Sequence, residues 1–388
     1  MSNDDFPVPQ DRESTLIYFD HHASTPLLPE VQAAITSWLT AGYGNPSNSL
    51  HPMGEEACQG IDWARRHIAG LINAESDEIL FTSGATESNN LALRGSLHSG
   101  NSLVISNFEH ESVSQTAAYL ESNGLEVHEV PGNEFGMVTP GNLEHLLQNH
   151  SADLVSVIAG QGEIGTINPV KALAEVAHQY GAKFHTDAAQ AVGKIPVDVR
   201  DWDVDYLTIA AHKMYGPKGI GVLFKKTGAP LSPILYGAGH EHGYRPGTEN
   251  VPYIIGFGEA ARIAQFGLVE EADRQQHMRD YLWETLRQNI SGIRLNGHPT
   301  RRHPGNLHVS LPNINSLNLL KLLPNYALSV GSACHSDHPM DNPLIQALNI
   351  PERYAQGAVR IGLGRQNTME QVEQFSNDFV KAFQEIAL

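Results

Sequence analysis

The sequence predicts an α/β protein whose large domain is built on a mainly parallel sheet. Short apolar runs at 79–82, 103–106 and 154–158 are typical of buried strands, and segments with helical periodicity separate them. Such alternation indicates βαβ crossovers, which place helices on both faces of a parallel sheet. The 388 residues suffice for two domains, and a smaller α/β unit begins near residue 304.

The composition is that of a globular protein with a strong negative charge. A net charge of −18 disfavours nucleic acid and anionic membrane surfaces as partners. No apolar run reaches the roughly 18 residues of a membrane span, and the N-terminus is acidic, unlike a secretory signal. Cys58 and Cys334 are too few for a disulfide framework, so we expect a cytoplasmic protein. Cys58 falls inside a predicted helix, where we expect it to be buried.

A lysine and an aspartate follow two of the predicted strands. The strand 205–209 leads into His212, Lys213 and a glycine-rich loop, while the strand 183–187 ends in Asp187. Lysines that form a Schiff base with a carbonyl cofactor occur in such places, although surface lysines do too. Pyridoxal phosphate (PLP) needs this lysine and a carboxylate that keeps its pyridine nitrogen protonated. Ligands of parallel sheets bind at the carboxyl ends of the strands, so the two residues are candidates for these roles.

The segments around these residues resemble one group of PLP enzymes. Asp-Ala-Ala-Gln at 187–190, followed by His-Lys-x-Tyr-Gly-Pro-Lys-Gly-Ile-Gly at 212–221, is similar to motifs of the cysteine desulfurases and selenocysteine lyases. The resemblance runs from Tyr18 to the C-terminus and includes several motifs in the same order. It therefore implies PLP as the cofactor.

The same resemblance implies PLP fold type I. The large domain would comprise residues 15–262 and contain a seven-stranded sheet between helices. Residues 1–14 and 263–388 would form the small C-terminal α/β domain, which carries the catalytic cysteine loop. Thr248 matches a threonine that reaches the cofactor phosphate of the neighbouring subunit in homodimeric relatives, so the resemblance also implies a homodimer.

Four residues match family positions around the cofactor ring. The resemblance implies that Lys213 holds PLP covalently and transfers the α-proton of the substrate, and that Asp187 contacts the ring nitrogen. Gln190 matches a glutamine that reaches the phenolic oxygen. His110 matches a histidine that stacks on the ring and moves a proton.

A second group of residues is expected at the cofactor phosphate. Ala85 and Thr86 lie where the strand 79–82 turns into a helix, and helix N-termini bind phosphate through free N–H groups. In isolation this is an ordinary strand–helix turn, and only the order of motifs favours phosphate binding. His212 is expected to contact the phosphate or the ring edge.

The chain departs from the family pattern at two positions. Gly162 stands where an asparagine usually contacts the phenolic oxygen, so that contact is missing or comes from Gln161, Gln190 or a water. Ala210 replaces a serine that is common in the desulfurases, which removes one hydroxyl from the phosphate site.

A cysteine loop and an arginine complete the predicted site. Cys334 lies among small residues and matches the cysteine that takes sulfur as a persulfide, a role that requires the thiolate. Arg360 matches an arginine that binds the substrate carboxylate, for which a guanidinium is suited. We therefore predict a PLP-dependent cysteine desulfurase that converts L-cysteine into L-alanine and passes sulfur from Cys334 to an acceptor protein.

The sequence leaves alternatives open. The segment Ala-Cys-His-Ser-Asp-His at 333–338 is closer to the selenocysteine lyases, which convert L-selenocysteine into alanine and selenide. The glycine at 162 is compatible with a β-eliminating C–S lyase that yields pyruvate. A metal site within 334–338 is disfavoured because nothing elsewhere in the chain is marked as completing its ligand shell. A scaffold without activity is disfavoured because the predicted catalytic residues are all present.

Overall fold

The computed structural model of the protein describes residues 16–330 and 343–387. A sheet of seven strands forms the centre of the larger unit. After the short strand β1 (Ile17–Tyr18), its strands are β2 (Ile79–Thr82), β3 (Ser102–Ser106), β4 (Glu126–Val130), β5 (Leu154–Ser156), β6 (Lys183–Asp187), β7 (Tyr206–Ala210) and β8 (Gly221–Lys225). Their spatial order is β2-β8-β7-β6-β5-β3-β4.

Within this sheet, only β8 runs against its neighbours. It pairs antiparallel with β2 and β7, and the five strands from β7 to β4 in the spatial order form four parallel pairs. Most residues of the central strands are buried, as expected for a sheet that is covered on both faces. The predicted fold class is confirmed: this is an α/β protein with a mainly parallel sheet.

Helices cover both faces of the sheet. They are α1 (Pro29–Thr40), α2 (Pro52–Leu71), α3 (Ala85–Ser96), α4 (Glu111–Ser122), α5 (Pro140–Leu147), α6 (Val170–Gln179), α7 (Val199–Trp202) and α8 (Val251–Asn289). The apolar sides of α2, α5, α6 and the first part of α8 form one core with one face of the sheet. Helices α3 and α4 form a second core with the opposite face.

A smaller unit is built around an antiparallel sheet of four strands. The remaining strands are β9 (Arg294–Leu295), β10 (Asn306–Ser310), β11 (Tyr326–Ala327), β12 (Ser329–Val330) and β13 (Ala358–Gly362). The remaining helices are α9 (Ser316–Lys321), α10 (Pro343–Ala347), α11 (Glu352–Ala355) and α12 (Met369–Ile386). The four-stranded sheet has the order β12-β13-β10-β9, and β11 pairs with β1.

The long helix α8 belongs to both units. Its residues up to Ala264 pack in the core of the larger unit, and those from Met278 onward pack in the core of the smaller one. The predicted boundary at 262/263 lies inside this helix. The other predicted boundary, at 14/15, assigns Phe19 to the larger domain. In the structure Phe19 packs in the core of the smaller unit.

Two features of the helices, a cap and a cysteine, were predicted from the sequence. Thr368 caps α12 and forms a capping box with Gln371, the pattern that its sequence indicates. The prediction that Cys58 is a buried packing residue is wrong, because its position on α2 faces outward and the residue is exposed. Among the described residues, no helix is both long and apolar enough to span a membrane.

Candidate active site

A large cavity opens at the carboxyl ends of the parallel strands. Its volume is about 610 Å³, which is in the range of small-molecule sites. Ten of the predicted site residues line it: Ala85, Thr86, His110, Gln161, Gly162, Asp187, Gln190, His212, Lys213 and Arg360. Thr248 is not among the residues lining this cavity in the described part of the chain. Cys334 lies outside the described residues.

Lys213 reaches the cavity from the turn after β7. Its amine donates hydrogen bonds to the backbone carbonyls of His22 at 2.7 Å and Ala23 at 2.9 Å. Burial is the main cause that lowers the pKa of Lys213 to about 8, and the nearby Arg360 guanidinium lowers it further. The neutral amine, which is the nucleophilic form, is therefore far more populated near neutral pH than in a free lysine.

Asp187 is held at the end of β6 as a hydrogen-bond acceptor. The residue is buried, with an exposed fraction of 3%. Its Oδ1 accepts a hydrogen bond of 2.9 Å from the backbone N–H of Ala189, and its Oδ2 accepts one of 2.8 Å from the side-chain amide of Asn89. Both contacts fix the orientation of the carboxylate at the end of the strand.

A chain of hydrogen bonds connects Asp187 to His110. Asn89 on α3 is fully buried, and its amide also donates to Oγ of Ser112 at 2.7 Å. That Oγ lies 2.8 Å from Nδ1 of His110, which caps α4 by accepting the Ser112 backbone N–H at 3.1 Å. Because Nδ1 is an acceptor here, the proton of the neutral ring is on Nε2. Asn89 and Ser112 were not predicted from the sequence, because their only signal there is a polar residue on an otherwise buried helix face.

Arg360 enters the cavity from β13 of the smaller unit. Its Nη2 donates to Oδ1 of Asp20 at 2.9 Å and to Oγ of Ser329 at 3.0 Å. Its Nη1 lies 3.5 Å from the carbonyl oxygen of Gly162. Nη2 is therefore held by an acid and a hydroxyl, Nη1 has only the long contact to Gly162, and Nε is buried without a hydrogen-bond partner among the described residues. Neither Asp20 nor Ser329 was predicted from the sequence.

The N-terminus of α3 also lines the cavity, through residues 84–87. This helix begins at Ala85, and its N-cap residue Gly84 provides no side chain. The first N–H groups of a helix have no partner within the helix, so a phosphate can accept from them. A Cβ at Gly221 of β8 would lie only 2.6 Å from the Cα of Gly84. The glycine at 221 therefore lets β8 pack closely against the turn that begins α3.

His212 lies beside Lys213 in the same cavity. Its Nδ1 is 3.3 Å from Oγ of Ser24. Burial, followed by the neighbouring Lys213 amine, lowers the pKa of His212 to about 4, so the imidazole is neutral at physiological pH. Ala210 also lines the cavity, and its methyl group stands where a hydroxyl was noted as missing from the sequence.

The two glutamines that were candidates to replace the missing asparagine are engaged with the protein. Gln190 donates from Nε2 to the His22 carbonyl at 2.9 Å and accepts at Oε1 from Lys194 at 2.6 Å. Oε1 of Gln161 accepts the backbone N–H groups of Glu163 and Ile164 at 2.6 and 2.9 Å. A Cβ at position 162 would lie 2.9 Å from Nε2 of Gln190, so the glycine leaves room for this arrangement.

The sequence matches a family of known enzymes over this whole region. The family model described as aminotransferase class-V matches residues 17–375. The chain belongs to this family. The predicted resemblance is thereby confirmed, and because enzymes of the aminotransferase class-V family are PLP-dependent, so is the predicted cofactor.

Curated members of the family are similar over nearly their full length. The chain is 39% identical to the cysteine desulfurase IscS of Dictyoglomus turgidum over 360 residues, which are 91% of either protein. It is 38% identical to that of Methanosarcina thermophila over 367 residues, covering 93% of this chain and 90% of the relative.

Solved structures of the family have the same fold. A NifS-like protein superposes with a TM-score of 0.88 at 32% identity, covering 95% of this chain and all of the other. A structure described as SspA in complex with cysteine superposes with a TM-score of 0.78 at 31% identity, covering 89% and 98% of the two chains.

The residues around the cavity fit the cofactor of the aminotransferase class-V family. A lysine amine of lowered pKa and a carboxylate both line one cavity of suitable volume. The N-terminus of α3, which lines the same cavity, supplies N–H donors for a phosphate. These are the three groups that PLP requires of a protein: an amine for the aldehyde, an acid for the ring nitrogen and donors for the phosphate.

Proposed function

We propose that this protein is a PLP-dependent cysteine desulfurase that converts L-cysteine into L-alanine and takes the sulfur on Cys334. The observation that carries the proposal is that Lys213, Asp187 and Arg360 line one cavity. The names of the curated relatives support the same activity. The net reaction breaks the Cβ–Sγ bond of cysteine, gives Cβ a proton and joins the sulfur to the Cys334 thiolate as a persulfide.

PLP, when bound, supplies an electron-withdrawing ring and an aldehyde that a lysine can attach covalently. Lys213 is the proposed point of attachment, and its lowered pKa makes it suitable to accept the α-proton of the substrate and return it. Arg360 is proposed to bind the substrate carboxylate with the nitrogens that Asp20 and Ser329 leave free.

The remaining residues are proposed to position these groups. Asn89 orients the Asp187 carboxylate by a hydrogen bond, and through Ser112 it fixes the position of the His110 ring. Ala85 and Thr86 are proposed to bind the phosphate at the start of α3, with His212 as a neutral neighbour. Gln190 is proposed to remain near the phenolic oxygen, while Gly162 provides space rather than a contact.

The protein is further proposed to act as a homodimer. Thr248 lines a cavity of about 130 Å³ that shares Gly219 and Ile220 with the larger cavity. Thr248 does not line the cofactor cavity of its own chain among the described residues, and its proposed role at the site of a second copy rests on the resemblance. A sulfur-acceptor protein and a cytoplasmic location remain predictions that rest on the resemblance and on cysteine usage.

The test is product analysis with L-cysteine and, in parallel, L-selenocysteine. The protein loaded with PLP is incubated with each amino acid and a dithiol, and alanine, pyruvate and sulfide or selenide are measured. Alanine and sulfide in equal amounts are expected from cysteine. Turnover of selenocysteine alone would identify a selenocysteine lyase, and pyruvate in place of alanine would identify a β-eliminating lyase; either result contradicts the proposal.

Two cysteine variants locate the sulfur acceptor. Cys334→Ala is expected to abolish alanine formation from cysteine, because the thiolate that removes the sulfur is absent. Cys58→Ala is the matched control: this exposed residue of α2 does not line the cavity, and its replacement is expected to leave turnover unchanged. Full activity of the Cys334 variant would contradict the persulfide mechanism.

A further inference from the structure

A cluster of metal-ligating side chains lies outside the candidate active site. Glu126 and His128 lie on β4, the edge strand of the seven-stranded sheet, and His150 follows α5. One potential ligand atom from each of the three lies within 4.8 Å of the others. None of the three lines the cofactor cavity. We propose that Glu126, His128 and His150 bind a divalent transition-metal ion such as Zn²⁺.

The strand geometry explains why two of these side chains converge. Residues two apart on a strand point to the same face, so Glu126 and His128 share a face with Val130. Val130 is buried in the core that includes Leu143 and Leu147 of α5. Glu126 and His128 therefore lie on the side of the sheet that α5 covers.

His150 approaches this face from the end of α5. Its backbone N–H donates to the carbonyl of Leu146 at 3.0 Å, which holds the residue in the turn after the helix. Its ring packs on that of His128, with centroids 4.0 Å apart. Two separate elements thus present their ligands to one point, and a metal ion there would connect the edge strand to the helix end.

The distances are close to those of a metal site. Nε2 of His128 is already 2.8 Å from Oε1 of Glu126. Ligand atoms about 2.1 Å from a tetrahedral zinc ion are roughly 3.4 Å from each other. Glu126 and His150 are exposed, so small rotations of their side chains suffice to reach that spacing.

The donor set selects the class of metal. Two imidazole nitrogens and one carboxylate oxygen suit zinc and its first-row neighbours, and a water would complete a four-coordinate shell. Mg²⁺ and Ca²⁺ prefer oxygen ligands, so they should compete poorly. The net charge of −18 favours binding of any cation. A preference for Zn²⁺ over Mg²⁺ and Ca²⁺ is therefore what distinguishes this site from general attraction of cations.

The experiment is Zn²⁺ titration of the PLP-loaded protein in competition with a chelating dye. Glu126→Gln, His128→Ala and His150→Ala are each expected to weaken the tightest Zn²⁺ site at least about tenfold, since even the loss of an outer-shell partner costs 10–100-fold. His145→Ala is the matched control, because His145 is exposed on α5 and outside the cluster. It is expected to bind like the unchanged protein, and 1 mM Mg²⁺ is expected to leave the Zn²⁺ affinity unaltered.

Two further measurements distinguish this cluster from the thiols of the chain. Co²⁺ bound in place of Zn²⁺ is expected to lack the thiolate charge-transfer band in the near ultraviolet. Zn²⁺ is expected to raise the thermal unfolding midpoint of the unchanged protein, by linkage, and not that of His150→Ala. Equal Zn²⁺ affinity in all four variants, or a thiolate band, would overturn the proposal. The exposed Glu126→Gln variant retains the test if His128→Ala fails to fold.

Discussion

Asn89 donates a hydrogen bond of 2.8 Å to Oδ2 of Asp187 and one of 2.7 Å to Oγ of Ser112, so one buried amide joins the proposed ring acid to the contacts of His110. Hydrogen bonds to charged groups contribute about 1.5–3 kcal/mol. Asn89→Ala is therefore expected to lower kcat/KM for cysteine by roughly 10- to 100-fold and to weaken PLP binding.

The measurement for this variant combines steady-state kinetics with cofactor titration of the PLP-free protein followed by absorbance. Asn90→Ala is the control, because the Asn90 amide donates to the carbonyl of Thr86 on the same helix. A thermal unfolding midpoint close to that of the unchanged protein would separate positioning from loss of fold. Unaltered kinetics and unaltered PLP affinity in Asn89→Ala would contradict the role given to this residue.

What the sequence could predict was local. Asp187 and Lys213 follow apolar strands, and the pattern of such strands determines both the sheet and the edge at which their following residues meet. The capping box at Thr368 is likewise a pattern over four residues. These features depend on neighbours in the chain, which is why the α/β fold and the residues that follow its strands could be predicted from the sequence.

What the sequence could not predict depends on contacts between distant segments. Arg360 pairs with Asp20, 340 residues away in the chain, and Asn89 meets Asp187 only because α3 packs on the sheet. The exposure of Cys58 depends on which face of α2 packs on the larger unit. Sequence periodicity reports only on residues that are close together in the chain. The residues that hold a site in place from distant segments are therefore harder to predict than those that follow a strand.

The lowered pKa of Lys213 can be measured without turnover. In the PLP-free protein, the rate at which acetic anhydride labels Lys213 is expected to rise with pH around a midpoint of about 8, because the neutral amine reacts. Lys171 is the internal control: a hydrogen bond from its amine to Asp201 raises its pKa, so its labelling should rise only at higher pH. Peptide mass spectrometry provides both rates from one sample.

The same labelling identifies the cause of the shift. Arg360→Gln removes a cation that lowers the pKa of Lys213, so the labelling midpoint is expected to move upward. Burial, the larger cause, is unchanged, and the midpoint should stay below the ordinary lysine value of about 10.4. A midpoint near that ordinary value in the unchanged protein would refute the environment described for this amine.

Gly162 is expected to matter through Gln190. A Cβ at position 162 would lie 2.9 Å from Nε2 of Gln190, so Gly162→Ala should displace that amide from the His22 carbonyl and lower kcat/KM several-fold. Fold stability should change by no more than about 1–3 kcal/mol, because the displaced group is the end of a flexible side chain. Gly160→Ala is the control, since its nearest contact would be an ordinary 3.7 Å.

A double-mutant cycle tests whether the effect passes through the glutamine. If Gly162→Ala acts by displacing Gln190, then adding Gln190→Ala to it should cost little more than either change alone. Losses in kcat/KM that multiply in the double variant would indicate that the glycine acts on the site by another route.

Hybrid dimers test whether Thr248 serves the site of the other subunit. Lys213→Ala and Thr248→Ala proteins are each expected to be inactive or strongly impaired as pure dimers. If Lys213 of one chain and Thr248 of the partner subunit form one site, a hybrid of the two variants carries both changes in one site and neither in the other.

Unfolding and refolding the variants together should then restore activity, to about a quarter of that of the unchanged protein for random pairing in equal amounts. Mixing without subunit exchange is the control. If both residues instead served the site of their own chain, every site in the hybrid would carry one change, and refolding would restore nothing.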